Sequence, residues 1–167
     1  MAKAARKTII KPSSLNVPAI GRAPIDPNTY PDVYCLTIDG DCMEPLLPHG
    51  SSVVMKKSEK LKAGDVVCIW FKPELCEPDG HQSWLKKLTL NIPPWVKSFP
   101  HEDHPESNVR AALLVEQLNP PRGYSMRLSD VLAVHKAVGY APARKIGETI
   151  SLDEIEPIGD GRLPALA

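Results

Sequence analysis

Neither sign of charge dominates this chain. Across 167 residues, 20 lysines and arginines meet 20 aspartates and glutamates, for a formal net charge of +0. No whole-molecule field therefore exists to draw the protein onto nucleic acid or an anionic membrane. Long apolar runs are missing as well. Val66–Phe71 is among the longest, far short of the roughly 20 residues that cross a bilayer as a helix, so no membrane protein is expected. No secretory apolar region follows the basic start, which argues against a cleaved signal peptide. The four cysteines, Cys35, Cys42, Cys68 and Cys76, form no CxxC pair and no compact ladder. A zinc ribbon or a disulfide framework is not expected from that spacing, and free thiols in a reducing cytoplasm are.

What is present is an ordinary soluble composition, 43% hydrophobic and 24% charged, over a length that suits one domain with tails. Proline is the exception. The 18 prolines are about double the usual ~5% share, which breaks helices and suits short strands, turns and extended segments. There is no internal repeat.

Residues 1–32 read as an extended basic leader. Lys3, Arg6, Lys7 and Lys11 precede the first acid, Asp26, and Pro12, Pro18, Pro24 and Pro27 prevent a long helix. Residues 33–140 carry the strand signal. The β-branched and aromatic runs are Val33–Ile38, Ser51–Met55, Asp65–Phe71 and Ser83–Leu90, followed by Ala111–Glu116 and Val131–Gly139. Turn residues separate them, including Asn119–Gly123, and 91–109 is an irregular, proline-rich insertion. Short strands divided by turns predict a mainly β fold, an antiparallel, barrel-like coiled sheet. Residues 141–167 read as a C-terminal tail with one capped helical turn at Ser151–Ile155.

Two positions draw chemical attention. Gly40-Asp41-Cys42-Met43-Glu44-Pro45 follows directly on a strand, and its glycine permits a sharp turn that presents Cys42 beside exposed backbone N–H groups. A thiol so placed is either a nucleophile beside an oxyanion hole or a buried structural cysteine. The second is Trp84-Leu85-Lys86-Lys87-Leu88, an apolar strand whose alternation sends its two lysines to opposite faces. One of them must face inward or lie along an apolar groove, unless it snorkels to solvent. His101, Glu102, Asp103 and His104 are the nearest thing to a metal cluster, but a proline-rich loop fixes ligands poorly, so no metal and no cofactor are expected. Trp70, Trp84 and Trp95 read as packing residues.

Taken together, Gly40–Pro45, Gly50, Val53-Val54, Gly64-Asp65-Val66-Val67 and Leu85-Lys86-Lys87-Leu88 resemble the LexA-like peptidase domain. That family includes LexA, phage repressors, UmuD and, more remotely, bacterial signal peptidases. Glu116–Pro120 and Val131–Gly139 look like its asparagine turn and last core strand. The resemblance covers roughly 33–140. It implies an all-β domain with a Ser–Lys dyad, used for self-cleavage in the repressors and UmuD. By position, Cys42 stands where the serine belongs and Lys86 matches the lysine. The backbone N–H groups of Asp41 and Cys42 would form the oxyanion hole, with Met43, Glu44 and Pro45 along a substrate groove.

The chain departs from that pattern in three ways. Cysteine replaces serine, and a thiol ordinarily loses its proton before a lysine ammonium does, which favours a thiolate–ammonium pair. The segment Val17–Ala23 resembles the stretch before the cleavage site of LexA-like repressors, but Ala23-Pro24-Ile25-Asp26 lacks the small Ala-Gly or Cys-Gly pair. About 40 residues precede Cys42, too few for a helix-turn-helix, so direct sequence-specific DNA binding is not expected. The resulting expectation is a cytoplasmic peptidase acting on its own leader or on a partner protein's extended segment. The rival is an inactive module that binds such a segment by strand addition. A homodimer through Val131–Val138 is expected, as is preferential alkylation of Cys42, with Cys35 and Cys68 inert and Cys76 unperturbed.

Overall fold

The computed structural model describes residues 12–13, 25–76, 81–101, 111–144, 148–159 and 162–166. The strands are β1 (Pro12–Ser13), β2 (Val33–Thr37), β3 (Ser52–Lys56), β4 (Val66–Phe71) and β5 (Ser83–Leu88), then β6 (Ala112–Leu118), β7 (Pro121–Arg127), β8 (Val131–Ala141) and β9 (Glu156–Pro157). They form a sheet in the order β1-β2-β3-β8-β4-β5-β6-β7, with β9 against β8. Every pairing is antiparallel except that of β1 with β2. The sheet curls into a half-barrel, and among the described residues the only helices are short 3-10 turns. The mainly β expectation is therefore met. No helix among the described residues is long and apolar enough to cross a membrane.

The longest strand, β8, holds the two halves together. Its Lys136–Ala141 stretch pairs with β3 and its Val131–Lys136 stretch with β4, so the sheet runs without a break from the strands flanking Cys42 to the strand bearing Lys86. One face buries Tyr34, Leu36, Met43, Val53 and Trp70, and another cluster gathers Val67, Ile69, Leu88, Leu113 and Val115. Each fully buried side chain of this size contributes about 1.5–3 kcal/mol. The second cluster lies under β5, where the register sets Val67 opposite Lys86 and Ile69 opposite Trp84.

Because β8 is interior, the expectation that Val131–Val138 forms a free edge for dimerisation is corrected. Its apolarity reflects burial between two neighbours. The turn expected over Asn119–Gly123 is also shorter: Leu118 faces Pro121, leaving a two-residue connection, and the chain continues as β7. Residues from the C-terminal stretch pack against the sheet, where Ile150, Ile155 and Leu166 are buried with Cys35, Val54, Val138 and Ala141. Gly139 makes room for them, since a Cβ there would stand 2.5 Å from the Ile155 side chain. The helical turn in this stretch is Leu152–Glu154, and Ser151 N–H donates to the Glu154 carboxylate at 2.9 Å.

Candidate active site

The sheet register closes the base of a loop over residues 39–50. Ile38 N–H donates to Ser51 O and Gly50 N–H donates to Ile38 O, both at 2.9 Å. Gly40 leaves the strand at φ +99°, a region that disfavours any side chain. The chain then turns tightly: Glu44 N–H donates to Asp41 O at 2.9 Å, and Leu47 N–H to Met43 O at 3.0 Å. Met43 and Leu47 are buried and anchor the turn, leaving Cys42 half-buried at its head. The Cys42 carbonyl accepts from Leu118 N–H (2.9 Å) and Asn119 N–H (3.0 Å), while Asn119 Nδ2 donates to Asp41 O at 3.4 Å. Both carbonyls of the turn are thus engaged. Among the described residues, neither Asp41 N–H nor Cys42 N–H makes a hydrogen bond.

Lys86 comes from β5, and alternation resolves the two lysines as expected. Lys87 is half-exposed and reaches Glu116 at 3.3 Å, whereas Lys86 is 6% exposed. Its Nζ lies 3.4 Å from Cys42 Sγ and donates to Leu85 O at 3.1 Å. The remaining flank of the ammonium meets aromatic faces, 5.4 Å from the Trp84 ring centre and 5.6 Å from that of Tyr124. Such contacts favour a cation by about 0.5–2 kcal/mol, depending on exposure. A buried lysine with its amine so surrounded has a fixed direction of approach to the thiol.

Cys42 and Lys86 line one groove together. Thr37, Ile38, Asp39, Met43 and Ser83–Leu85 line it as well. Glu44 and Pro45 do not line it; the Glu44 carboxylate instead accepts from His49 N–H at 3.1 Å. Asp39 and His81 face each other across the groove at 3.7 Å. Gln82 clamps the chain at Ile25, accepting from Ile25 N–H at 3.2 Å and donating to Ile25 O at 2.7 Å. The sequence carried no local signal for that clamp, nor for the aromatic pair around Lys86, because both arise from pairing across the sheet.

Burial governs the other thiols. Burial pushes Cys35 and Cys68 up to about 12, so neither is a nucleophile near neutrality. Cys76 needs a correction: partial burial and the nearby Glu74 raise it, and its Sγ donates to Lys72 O at 3.6 Å, so it is less reactive than a free thiol. Glu102, Asp103 and His104 fall outside the described residues, and His101 lies against Trp95 at 5.3 Å.

Residues 11–88 match the family model described as Peptidase S24-like. The matched span takes in the loop bearing Cys42 and ends with β5. No curated protein and no solved structure matches the chain.

Proposed function

We propose, from the premise that residues 11–88 are a Peptidase S24-like segment, that the protein hydrolyses peptide bonds in an extended polypeptide, with Cys42 as nucleophile and Lys86 as proton carrier. The observation that carries this reading is the 3.4 Å contact between Lys86 Nζ and Cys42 Sγ, made by a buried lysine on a groove wall. The amine also donates to Leu85 O at 3.1 Å, which fixes it facing the thiol.

The reacting form is the Cys42 thiolate beside the Lys86 ammonium. The Cys42 sulfur attacks the scissile carbonyl carbon, forming the C–S bond while the carbonyl electrons move onto oxygen. The N–H groups of Asp41 and Cys42, unbonded among the described residues, are the available donors for that oxyanion. Collapse breaks the C–N bond, and the Lys86 ammonium gives its proton to the departing amine, leaving an acyl thioester and a neutral lysine. Water then attacks the thioester, Lys86 Nζ takes its proton, and the thiolate leaves. Both groups return to their starting state.

The groove suits an extended segment. Among the described residues β6 pairs only with Lys87 and Leu88 of β5, so the Ser83–Lys86 edge that lines the groove is open to an added strand. The substrate is the chain's own leader or the extended segment of a partner protein. Mass spectrometry of the purified chain over prolonged incubation, alone and with unstructured polypeptides such as reduced casein, tests the reading. Discrete products that vanish in Lys86→Ala are expected. Intact polypeptides across pH 6–10 would overturn it in favour of a non-catalytic binding module.

A further inference from the structure

A second cavity, of about 350 Å³, lies beside the Cys42–Lys86 groove. Phe71, Leu75 and Met126 line it, and Trp84, Tyr124 and His81 line both cavities. Its back wall is braced: the Trp84 ring stands edge-on to Phe71 at 5.1 Å and to Tyr124 at 5.8 Å. Yet Trp84 remains 37% exposed and Leu75 52% exposed. Large apolar side chains held open beside a groove are unusual unless something apolar covers them.

Strand geometry says what could cover them. Along β5, Trp84, Lys86 and Leu88 share one face, while Ser83, Leu85 and Lys87 point to the other. A segment added to the open Ser83–Lys86 edge has its own alternation, so every second side chain falls on the face that carries Trp84 and Lys86. From that face the apolar cavity begins immediately beyond the shared Trp84–Tyr124 wall. This argument rests on the strand-binding groove proposed above. We infer that the cavity is a specificity subsite, and that its occupant is one large aliphatic or aromatic side chain of the bound segment, such as Leu, Met or Phe.

Peptidyl chloromethyl ketones test this without requiring turnover, because the Cys42 thiolate displaces chloride and forms a stable C–S bond. Four-residue probes are varied from Ala to Phe at each position in turn. Alkylation of Cys42 is followed by mass spectrometry and normalised to the iodoacetamide rate of the same protein. At one position the Phe probe should react at least about ten-fold faster than the Ala probe. That ratio should fall to within about two-fold in Trp84→Ala. It should fall likewise in Leu75→Asp, which alters an exposed residue outside the lining of the Cys42–Lys86 groove. Equal Phe and Ala rates at every position, or a preference that survives both variants, would overturn the subsite while leaving the groove. If no peptidyl probe outpaces iodoacetamide, the groove takes no extended segment and both readings fall.

Discussion

The two halves of the site are held in different ways. Lys86 belongs to a strand whose register with β4 runs over Val66–Trp70 and whose underside is core. Cys42 belongs to a loop with no ladder of its own. Discrete bonds hold it: Gly40 N–H to His49 Nδ1 at 2.9 Å, His49 N–H to Glu44 at 3.1 Å, and the Leu118 and Asn119 donors to the Cys42 carbonyl. Each such bond has a net worth of about 1 kcal/mol, whereas a ladder over buried side chains forms and breaks as a unit. The difference separates two kinds of sensitivity. Damage under the strand should appear as lost stability, and damage in the loop as altered thiol reactivity in a protein that stays folded.

Ile69→Ala should show the largest effect on the strand side. Ile69 is fully buried, facing Trp84 on β5 and Val134 on β8. Its truncation should cost about 2–5 kcal/mol, read as a shift of the urea midpoint. Below that midpoint, iodoacetamide labelling of Cys42 should stay within about three-fold of the parent. A mild stability loss with a collapsed labelling rate would reverse the assignment of roles.

Replacing the adjacent lysines one at a time sharpens the comparison. Lys86→Ala should slow Cys42 alkylation at pH 7 by at least about ten-fold and remove peptide cleavage by roughly 100-fold or more. Lys87→Ala loses only a half-exposed ion pair with Glu116, worth up to about 1 kcal/mol, and should leave alkylation within about two-fold. Equal effects from the two would mean that strand alternation does not separate them.

Much of this was legible in the sequence because burial writes itself into periodicity. The β2, β4 and β8 runs are apolar because they are interior, and a pair of lysines inside the apolar β5 run required one of them to face inward. The strand β7 left no such trace. Pro121-Arg-Gly-Tyr-Ser-Met-Arg127 is mostly exposed and lies at the sheet edge, where a proline at the first position is tolerated and no apolar alternation is required. Buried Ile150, Ile155 and Leu166 were equally silent, since isolated apolar residues between prolines and glycines have no period. At the site, Gly40 and the need for one inward lysine were visible locally, while the choice of Lys86 over Lys87 came from the resemblance. The bonds from Leu118 and Asn119 to Cys42 were not, because their geometry depends on where the β6–β7 connection lands.

The strand half also carries a buried titrating group. His135 Nδ1 on β8 lies within hydrogen-bond distance of the Tyr34 hydroxyl, 2.7 Å, and Trp70 Nε1 donates to that same hydroxyl at 3.3 Å. Burial, assisted by Lys57 and opposed by Asp32, lowers His135 from 6.5 to about 4. Between those values the unfolded chain binds a proton that the folded protein refuses. Stability contributed by neutral His135 is therefore complete above about pH 6.5, falls as the pH drops, and is lost by about pH 4. Urea midpoints measured from pH 7.5 to 4 should decline more steeply in the parent than in His135→Gln. Parallel curves would show that the ring is not held neutral.

The smallest effect should come from Asn119→Ala. Its Nδ2 contact to Asp41 O is long at 3.4 Å, and the main-chain donation to Cys42 O at 3.0 Å survives the substitution. The expected stability loss is below about 1 kcal/mol. Reactivity should respond modestly, by about two- to five-fold in the Cys42 alkylation rate, because one of several bonds holding the turn is gone. Asn119→Asp should act more strongly, since it places a carboxylate acceptor against the Asp41 carbonyl, and two acceptors repel where a donor was required. The order Asn119→Ala, then Asn119→Asp, then Lys86→Ala would fit a loop secured by many weak bonds beside a single essential amine. If Asn119→Ala alone slowed alkylation as much as Lys86→Ala, the loop would depend on that one side chain, and the contrast with the strand would collapse.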